Sequence, residues 1–386
     1  MWKLILDSFY SLIGLFLSFV VRRDESIWVF GARDGSSYCD NTRFFFEWLR
    51  ISQSGNTKCY WITKNSSLVN VNNGIIHHNS LFSQYIIASS SLVFVSHGAA
   101  DVSRFIGWIK PFVYLWHGIP IKRMNNVKSY SKKSKIKDFI LPKINTLLFL
   151  VTSKRDLLIF SNAYDIPASR FYVGQYPRNI NLIEQHSIKN GSKEIKKKKI
   201  LFAPTFRDNN DASYFDNEVM PSSNVLKRLE DFLENNNSEL YFKLHPYTTT
   251  AFDFNSLPNN VKHIDKSIDI MDVLCEMDVL VTDYSSVAFD YCLLDKSIVY
   301  FLPDDDWYIN DNNRGLYDDF ISTRAGEVAY NWDELILLLK KEIDNPERTK
   351  KLRNDVVDCY FNNRGDNNHN LYQECITRQK AYYRER

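Results

Sequence analysis

The stretch Phe112-Val113-Tyr114-Leu115-Trp116-His117-Gly118-Ile119-Pro120-Ile121-Lys122-Arg123 has the form of a buried strand that stops at a polar turn. Its first five residues are apolar without alternation, as in a strand covered on both faces. His117, Gly118 and Pro120 then break the run, and two cations follow. The same form recurs on either side. Ile27–Phe30, Cys59–Ile62, Gly74–His77, Leu92–Val95, Thr146–Val151 and Phe171–Val173 are short apolar runs, many closed by Gly, Ser, His or Asn. Helical spacing lies between them, as at Thr42–Ile51 and Leu81–Ser89. Buried strands alternating with helices predict a parallel sheet covered on both faces, a doubly wound α/β domain over residues 24–187.

Residues 188–199 carry Asn190-Gly191 and the lysine run 196–199, and read as a linker. Beyond it the pattern repeats with strands at Ile200–Ala203, Leu240–Leu244, Val261–Ile264, Val279–Thr282 and Ile298–Phe301. Helical segments alternate with them at Ser222–Asn235, Ile268–Cys275, Val287–Leu294 and Trp332–Lys341. This is a second Rossmann-like domain, residues 200–360. The chain from Glu347 onward is helical in pattern, interrupted near Asn362–Asn368, and residues 361–386 are expected to cross back to the first domain. With 386 residues, 44% hydrophobic and 24% charged, the chain has enough apolar material for two cores. Six cysteines without a C-x-x-C spacing read as reduced, buried thiols and give no zinc site.

Residues 1–23 are different in kind. Asp7, Ser11, Gly14, Ser18 and Arg22 recur at steps of four, three, four and four, one stripe of a helix, while Phe9, Leu12, Ile13, Phe16, Leu17, Phe19 and Val20 fill the opposite face. Asp7 leaves the apolar run too short for a span, and no cleavage site follows. The pattern predicts a membrane-associating helix lying in the interface, with Arg22 and Arg23 on anionic headgroups. A helix packed on the first domain is the other reading.

In open α/β sheets ligands lie beyond the carboxyl ends of the strands. Those positions hold His117, with Lys122 and Arg123 after it, and the segment Gly174-Gln175-Tyr176-Pro177-Arg178-Asn179. In the second half they hold Thr205, Arg207 and Asp208, then His245-Pro246, then Asp283-Tyr284-Ser285-Ser286 opening a helix. Hydroxyls and unpaired N–H groups at a helix start suit an anion, though capping alone explains one serine. Arg178 and Arg207 can add forked contacts to phosphate oxygens. A histidine can take a proton from a hydroxyl nucleophile, or donate to a phosphate, and His117 and His245 fit either role. His97 also ends a strand and stands behind the site at most. His77-His78 and His263 read as strand surface, and His186 and His369 as loop residues. Walker and G-x-G-x-x-G motifs are absent, and Asp304, Asp305 and Asp306 read as a surface loop, so no metal or cofactor is expected.

Taken in order, these segments resemble the CDP-glycerol glycerophosphotransferase family, the teichoic acid primases and polymerases and their capsule relatives. The resemblance rests on Trp116 to Met124, Tyr176-Pro177-Arg178-Asn179, Ala203 to Asp208, Lys243-Leu244-His245-Pro246 and Thr282 to Ser286. Phe289-Asp290, Arg314-Gly315-Leu316-Tyr317 and Asp40-Asn41 after Trp28-Val29-Phe30-Gly31 add to it. It covers nearly all of the chain after the N-terminal helix. The family usually has Thr at Ile119, Trp at Phe206 and Asp at Ile180.

The resemblance implies a GT-B-like fold of two Rossmann-like domains with an interdomain cleft, and transfer of a polyol phosphate from CDP-glycerol or CDP-ribitol to a hydroxyl of a lipid-linked glycan or polyol phosphate acceptor. It implies His117 as the general base. It implies His245, Arg178, Thr205, Ser285 and Ser286 on the pyrophosphate with help from Arg207, and Asp283 orienting the loop. CMP leaves, and the product is a teichoic acid, capsule or similar surface polymer. The expected place is the cytoplasmic face of the bacterial membrane, held peripherally. Lys122, Arg123, Lys128, Lys132, Lys133, Lys135, Lys137 and Lys143, opposed by Asp138 alone, suit an anionic membrane surface or a phosphate-rich acceptor. No nucleic-acid module accompanies them. The competing readings are a GT-B glycosyltransferase with a nucleotide-sugar donor and a non-catalytic membrane-bound scaffold.

Overall fold

The computed structural model describes residues 2–53, 55–124, 145–189, 197–207, 212–311, 315–317, 320 and 322–385. The chain divides into two compact units, Met1–Gly118 with Met124–Asn181 and Phe361–Arg386, and Ile119–Arg123 with Leu182–Tyr360. The division falls inside the helix Pro177–Lys189, ahead of the expected boundary at 187. Lys198 and Lys199 already belong to a strand. Residues 190–196, most of the expected linker, lie outside the described residues.

In the first unit the described strands are β1 (Ile27–Phe30), β2 (Lys58–Thr63), β3 (Ile75–His77), β4 (Leu92–Val95), β5 (Phe112–Tyr114), β6 (Thr146–Val151) and β7 (Phe171–Val173). They pair in parallel in the order β3-β2-β1-β4-β5-β6-β7. Every residue of β1, β4, β5 and β6 is buried, which is why their sequences do not alternate. The chain builds outward from β1 to β3 and then returns to lay β4 on the other side of β1, so the switch point lies between β1 and β4. Helix α2 (Asp40–Ser52) buries Phe45, Phe46 and Leu49 against an aromatic layer in which Phe30 and Phe94 stack at 4.4 Å. Each such ring removed from water stabilises the unit by about 1.5–3 kcal/mol. That packing fixes the N-terminus of α2 at the carboxyl edge of the sheet.

The opposite edge is closed by the last helix, Asn368–Arg384. Gln379 accepts from the Trp28 indole N–H at 2.9 Å and donates to Glu25 O, Arg378 donates to the carbonyls of Leu147, Ser169, Arg170 and Phe171, and the Tyr383 hydroxyl donates to Ser91 O. Helix α1 (Trp2–Val20) lies on α3 (Leu81–Ser89), polar stripe inward. Asp7 Oδ1 accepts from Asn79, Ser11 meets His78 at 3.3 Å, and Gly14 lies so close to Gln84 that a Cβ there would stand 2.2 Å from Oε1. The apolar face points outward, with Phe16 66% and Phe19 75% exposed. Among the described residues no helix is long and apolar enough to cross a membrane.

The second unit holds β8 (Lys198–Ala203), β9 (Ser238–Phe242), β10 (Val261–His263), β11 (Val279–Thr282), β12 (Ser297–Phe301) and β13 (Glu327–Ala329), all parallel in the order β10-β9-β8-β11-β12-β13. Its switch point is between β8 and β11. The helices Ser223–Asn235 and Trp332–Asp344 cover a core of Phe202, Phe242, Leu229, Val281, Phe301 and Leu335.

Four readings of the sequence are corrected. His78 is fully buried in the α1 contact and is not strand surface. His186 and His369 lie in helices Pro177–Lys189 and Asn368–Arg384. Asp304 is buried against the Arg207 guanidinium and is not part of a surface loop. Cys359 is exposed, unlike the other five cysteines. Edge strand β13 had no strong signal in its three residues.

Gly31, after β1, passes so close to the turn that follows β4 that a Cβ would stand 2.2 Å from Asp101 O. Gly31→Ala must therefore push backbone on backbone and is expected to destabilise the protein by about 1–3 kcal/mol. The urea midpoint should fall at unchanged slope; an unaltered midpoint contradicts the close approach.

Candidate active site

In the first unit the chain leaves β5 through Leu115, whose N–H still donates to Val95 O, and turns at Trp116 with φ 56°. That left-handed conformation costs an L residue roughly 1–2 kcal/mol. Asn41, fully buried at the start of α2, holds the turn by donating to both Leu115 O and Trp116 O at 2.9 and 3.0 Å. Its own oxygen accepts from the Arg178 backbone N–H. The guanidinium of Arg178 donates to His117 O at 2.7 Å. One asparagine and one arginine thus fix the backbone on both sides of His117.

The His117 ring is flanked by Trp116 at 4.4 Å and by His97 at 4.0 Å, the latter almost parallel at 3°. Its Nδ1 lies 3.2 Å from Ser96 O. A carbonyl only accepts, so Nδ1 carries the hydrogen and Nε2 keeps its lone pair. Burial first, then His97, push the His117 imidazole down to about 3, against the pull of Asp40. Burial also opposes the charge on Asp40, but Arg33, then His97, His117 and Arg178, outweigh it and hold that carboxyl at about 2. His117 is therefore a neutral base with an open nitrogen at neutral pH.

In the second unit β8 and β11 end side by side, and Asp283 ties them together. Its Oδ1 accepts from the Thr205 N–H at 2.8 Å and its Oδ2 from the Thr205 hydroxyl at 3.0 Å and Arg207 Nη1 at 2.8 Å. Arg207 turns its other edge to Asp304, with Nε and Nη2 at 2.7 and 2.8 Å. All three ionic side chains are 1% exposed. Burial works against the Arg207 charge, but Asp283 and Asp304 raise its proton affinity above the ordinary value. The forked phosphate contact expected of Arg207 is corrected: its guanidinium is spent on two carboxylates, and what it positions is Thr205 and Asp283.

Beyond Asp283, the Tyr284 hydroxyl donates to Asp305, and the ring stacks on Tyr308 at 3.7 Å. Ser285 accepts weakly from Val287 N–H at 3.4 Å, and Ser286 makes no side-chain cap on helix Val287–Cys292. Ordinary capping thus accounts for neither serine well. His245, stacked on Phe206 at 4.8 Å, accepts at Nδ1 from the Tyr247 N–H at 3.2 Å. The neutral ring then carries its hydrogen on Nε2, the tautomer opposite to that of His117.

Lys122 belongs to this unit, its ammonium 5.8 Å from the Phe206 ring and 5.2 Å from the Tyr308 ring. Arg123 donates from N to Gly315 O and from Nε to Leu316 O. Arg23 lies 3.5 Å over the Tyr383 ring, and Arg22 is exposed. Asp208, Arg314 and the cations from Lys128 to Lys143 lie outside the described residues. The sequence reading missed the support given by Asn41, Asp101 and Asp304. Asp304 stands three residues beyond the end of β12, the kind of position that selected the other candidates.

The family model for CDP-Glycerol:Poly(glycerophosphate) glycerophosphotransferase matches residues 14–375. The chain belongs to this glycerophosphotransferase family. The family member is 27% identical over 382 residues to the teichoic acid poly(glycerol phosphate) polymerase of Bacillus subtilis (strain 168), covering 89% of this chain and 47% of that protein. With the polymerase of the same name from Bacillus spizizenii (strain ATCC 23059 / NRRL B-14472 / W23) it shares 25% identity over 407 residues, 97% of this chain and 98% of that one. The chain thus spans about half the length of some curated relatives it matches and nearly all of another. A CDPG-soaked variant of the wall teichoic acid polymerase TagF superposes with TM-score 0.77 at 21% identity, over all of this chain and 95% of that one. That likeness establishes the GT-B-like fold.

The paired carboxylates of this glycerophosphotransferase-family chain make Arg207 a structural cation. Arg207→Met strands two buried carboxylates and is expected to cost about 3–5 kcal/mol of stability. Adding Asp304→Asn should recover part of the loss. Denaturant titration of both variants checks this, and a single variant as stable as the parent refutes the pairing.

Proposed function

We propose that this chain transfers glycerol phosphate, or a related polyol phosphate, from a CDP-activated donor to a hydroxyl of a membrane-linked acceptor, building a teichoic acid or similar surface polymer. The observation that carries the proposal is the opposite tautomers of the two histidines at strand ends, one open to accept at Nε2 and the other hydrogen-bearing there. Family membership over residues 14–375 supports the donor class.

In the proposed reaction the acceptor hydroxyl gives its proton to His117 Nε2 as its oxygen bonds to the β-phosphorus. The bond from that phosphorus to the bridging oxygen breaks, and the electron pair leaves with CMP. His245 donates from Nε2 to a phosphate oxygen, where charge grows in transfer. Ser285 and Ser286 supply hydroxyl and N–H donors to the pyrophosphate, while Thr205, whose N–H and hydroxyl are both given to Asp283, holds that loop in place with Arg207. Arg178 keeps a fixed positive charge beside the base, and Lys122 and Arg123 belong with the acceptor's phosphates. His117→Ala and His245→Ala should each lower CMP release from CDP-glycerol by roughly 100- to 10,000-fold while the folded protein is retained. Full activity in His117→Ala, or release of UDP from UDP-sugars without CMP from CDP-glycerol, would defeat the reading.

We also infer that α1 rests in the cytoplasmic leaflet's interface as a peripheral anchor. Its outward face carries Phe9, Leu12, Phe16, Phe19 and Val20, each more than half exposed, and Arg22 and Arg23 follow. An amphipathic helix with flanking cations suits an anionic surface. Flotation with vesicles containing phosphatidylglycerol should carry the chain upward, and Phe16→Glu with Phe19→Glu should leave it at the bottom. Equal flotation of parent and double variant would remove α1 from that role.

A further inference from the structure

The sequence placed His97 behind the site; its geometry assigns it more. Its ring lies parallel to that of His117 at 4.0 Å and is itself exposed, so it covers one face of the neighbour while remaining open to solvent. Such flush stacking is not enforced by sequence proximity, since twenty residues separate the two. It is built. The Asp101 carboxylate accepts from the N–H groups of Ser96, His97 and Gly98 at 2.9, 2.7 and 3.3 Å, and its other oxygen accepts from Asp34 N–H at 2.8 Å. The Ser96 hydroxyl meets His97 Nδ1 at 2.7 Å. The backbone carbonyl of the same Ser96 receives Nδ1–H of His117. One residue therefore orients both rings, one through its side chain and the other through its main chain.

We propose that His97 is a positioning residue for the reaction, its stacked ring fixing the plane of His117 and disfavouring protonation of that base before a substrate hydroxyl arrives. The proposal rests on His117 acting as the base. Two imidazolium ions cannot be carried cheaply at 4.0 Å, so a charge on one ring disfavours a charge on the other. The charged groups that bear on it are Asp40 and Arg33 beside the start of α2, Asp101 in the turn after β4, and Arg178 at the start of helix Pro177–Lys189. His117 keeps its Nε2 lone pair for the acceptor.

The test uses the full chain labelled with 15N-histidine, with His117→Gln to assign the ring signals. His97→Phe keeps a planar ring and removes the second charge. It should raise the titration midpoint of His117 by about one unit. The acid limb of kcat/KM, measured as CMP release from CDP-glycerol with a synthetic lipid-linked glycerol phosphate acceptor, should climb by the same amount. On that limb the rate then falls about tenfold. His97→Ala, which also removes the stack, should in addition populate the other His117 tautomer, visible in the ring 15N shifts. If both variants leave the His117 titration, tautomer and acid limb as in the parent, the positioning role is refuted while the base reading stands. If His117→Gln itself retains transfer, the base reading fails, whatever the spectra of the His97 variants show.

Discussion

A buried carboxylate closes the switch point of each sheet, and the candidate chemistry hangs from those two anions. Asp101 gathers four backbone N–H groups from the ends of β4 and β1. Asp283 gathers the N–H and hydroxyl of Thr205 after β8 together with a guanidinium. At a switch point adjacent strands part, and their last N–H groups lose the ladder partner they have elsewhere in the sheet. A carboxylate with several lone pairs satisfies those donors, where water would leave the loops free to move. The consequence is rigidity at the places where a ligand is expected in open α/β sheets. His97 and His117 inherit their orientation from the first anion, and Thr205 inherits its own from the second.

The sequence made the scaffold legible because fully buried parallel strands leave an unmistakable trace. The runs at Ile27–Phe30, Leu92–Val95, Thr146–Val151, Phe171–Val173 and Val279–Thr282 match the strands residue for residue. Strand β13 escaped notice because an edge strand of three residues, one of them Glu327, has little apolar pattern to show. The strand-end rule picked out His117, Arg178, Thr205, Asp283 and His245 as candidates. It did not foretell their roles, because roles are set by partners distant in sequence. Arg207 looks like a phosphate ligand until Asp304, 97 residues on, is seen to occupy it. His97 looks incidental until its ring is seen lying on His117.

Helix α1 inverts the usual arrangement of an amphipathic segment, and the inversion has an energetic reading. Its contact with α3 and the turn before it is made through Asp7, Ser11 and Gly14, all buried, the first two hydrogen-bonded to Asn79 and His78 in that turn. Polar groups satisfied in this way add little net stability, about 0.5–1.5 kcal/mol for each bond. The outward apolar face meanwhile keeps its rings in water at a cost of about 25 cal/mol per Å². In water alone a helix rotated by half a turn would be favoured. The observed rotation becomes favourable if the outer face has a second solvent, which is the argument for the proposed role: the stripe of small and polar residues would serve as a foot on the protein, with the aromatic face left for a bilayer interface.

His117 as the proposed base, with its proton affinity depressed to about 3, raises the question of how it would take a proton at all. The depression belongs to the site without ligand, where burial and His97 act on His117 unopposed by added negative charge. A nearby anion shifts such a group upward by about 1–3 units. A pyrophosphate donor brings more than one charge. In the proposed reaction proton uptake and donor binding would then be linked: the donor would raise the affinity of His117, and the imidazolium would in turn strengthen the hold on the phosphoryl group while charge moves toward the leaving CMP.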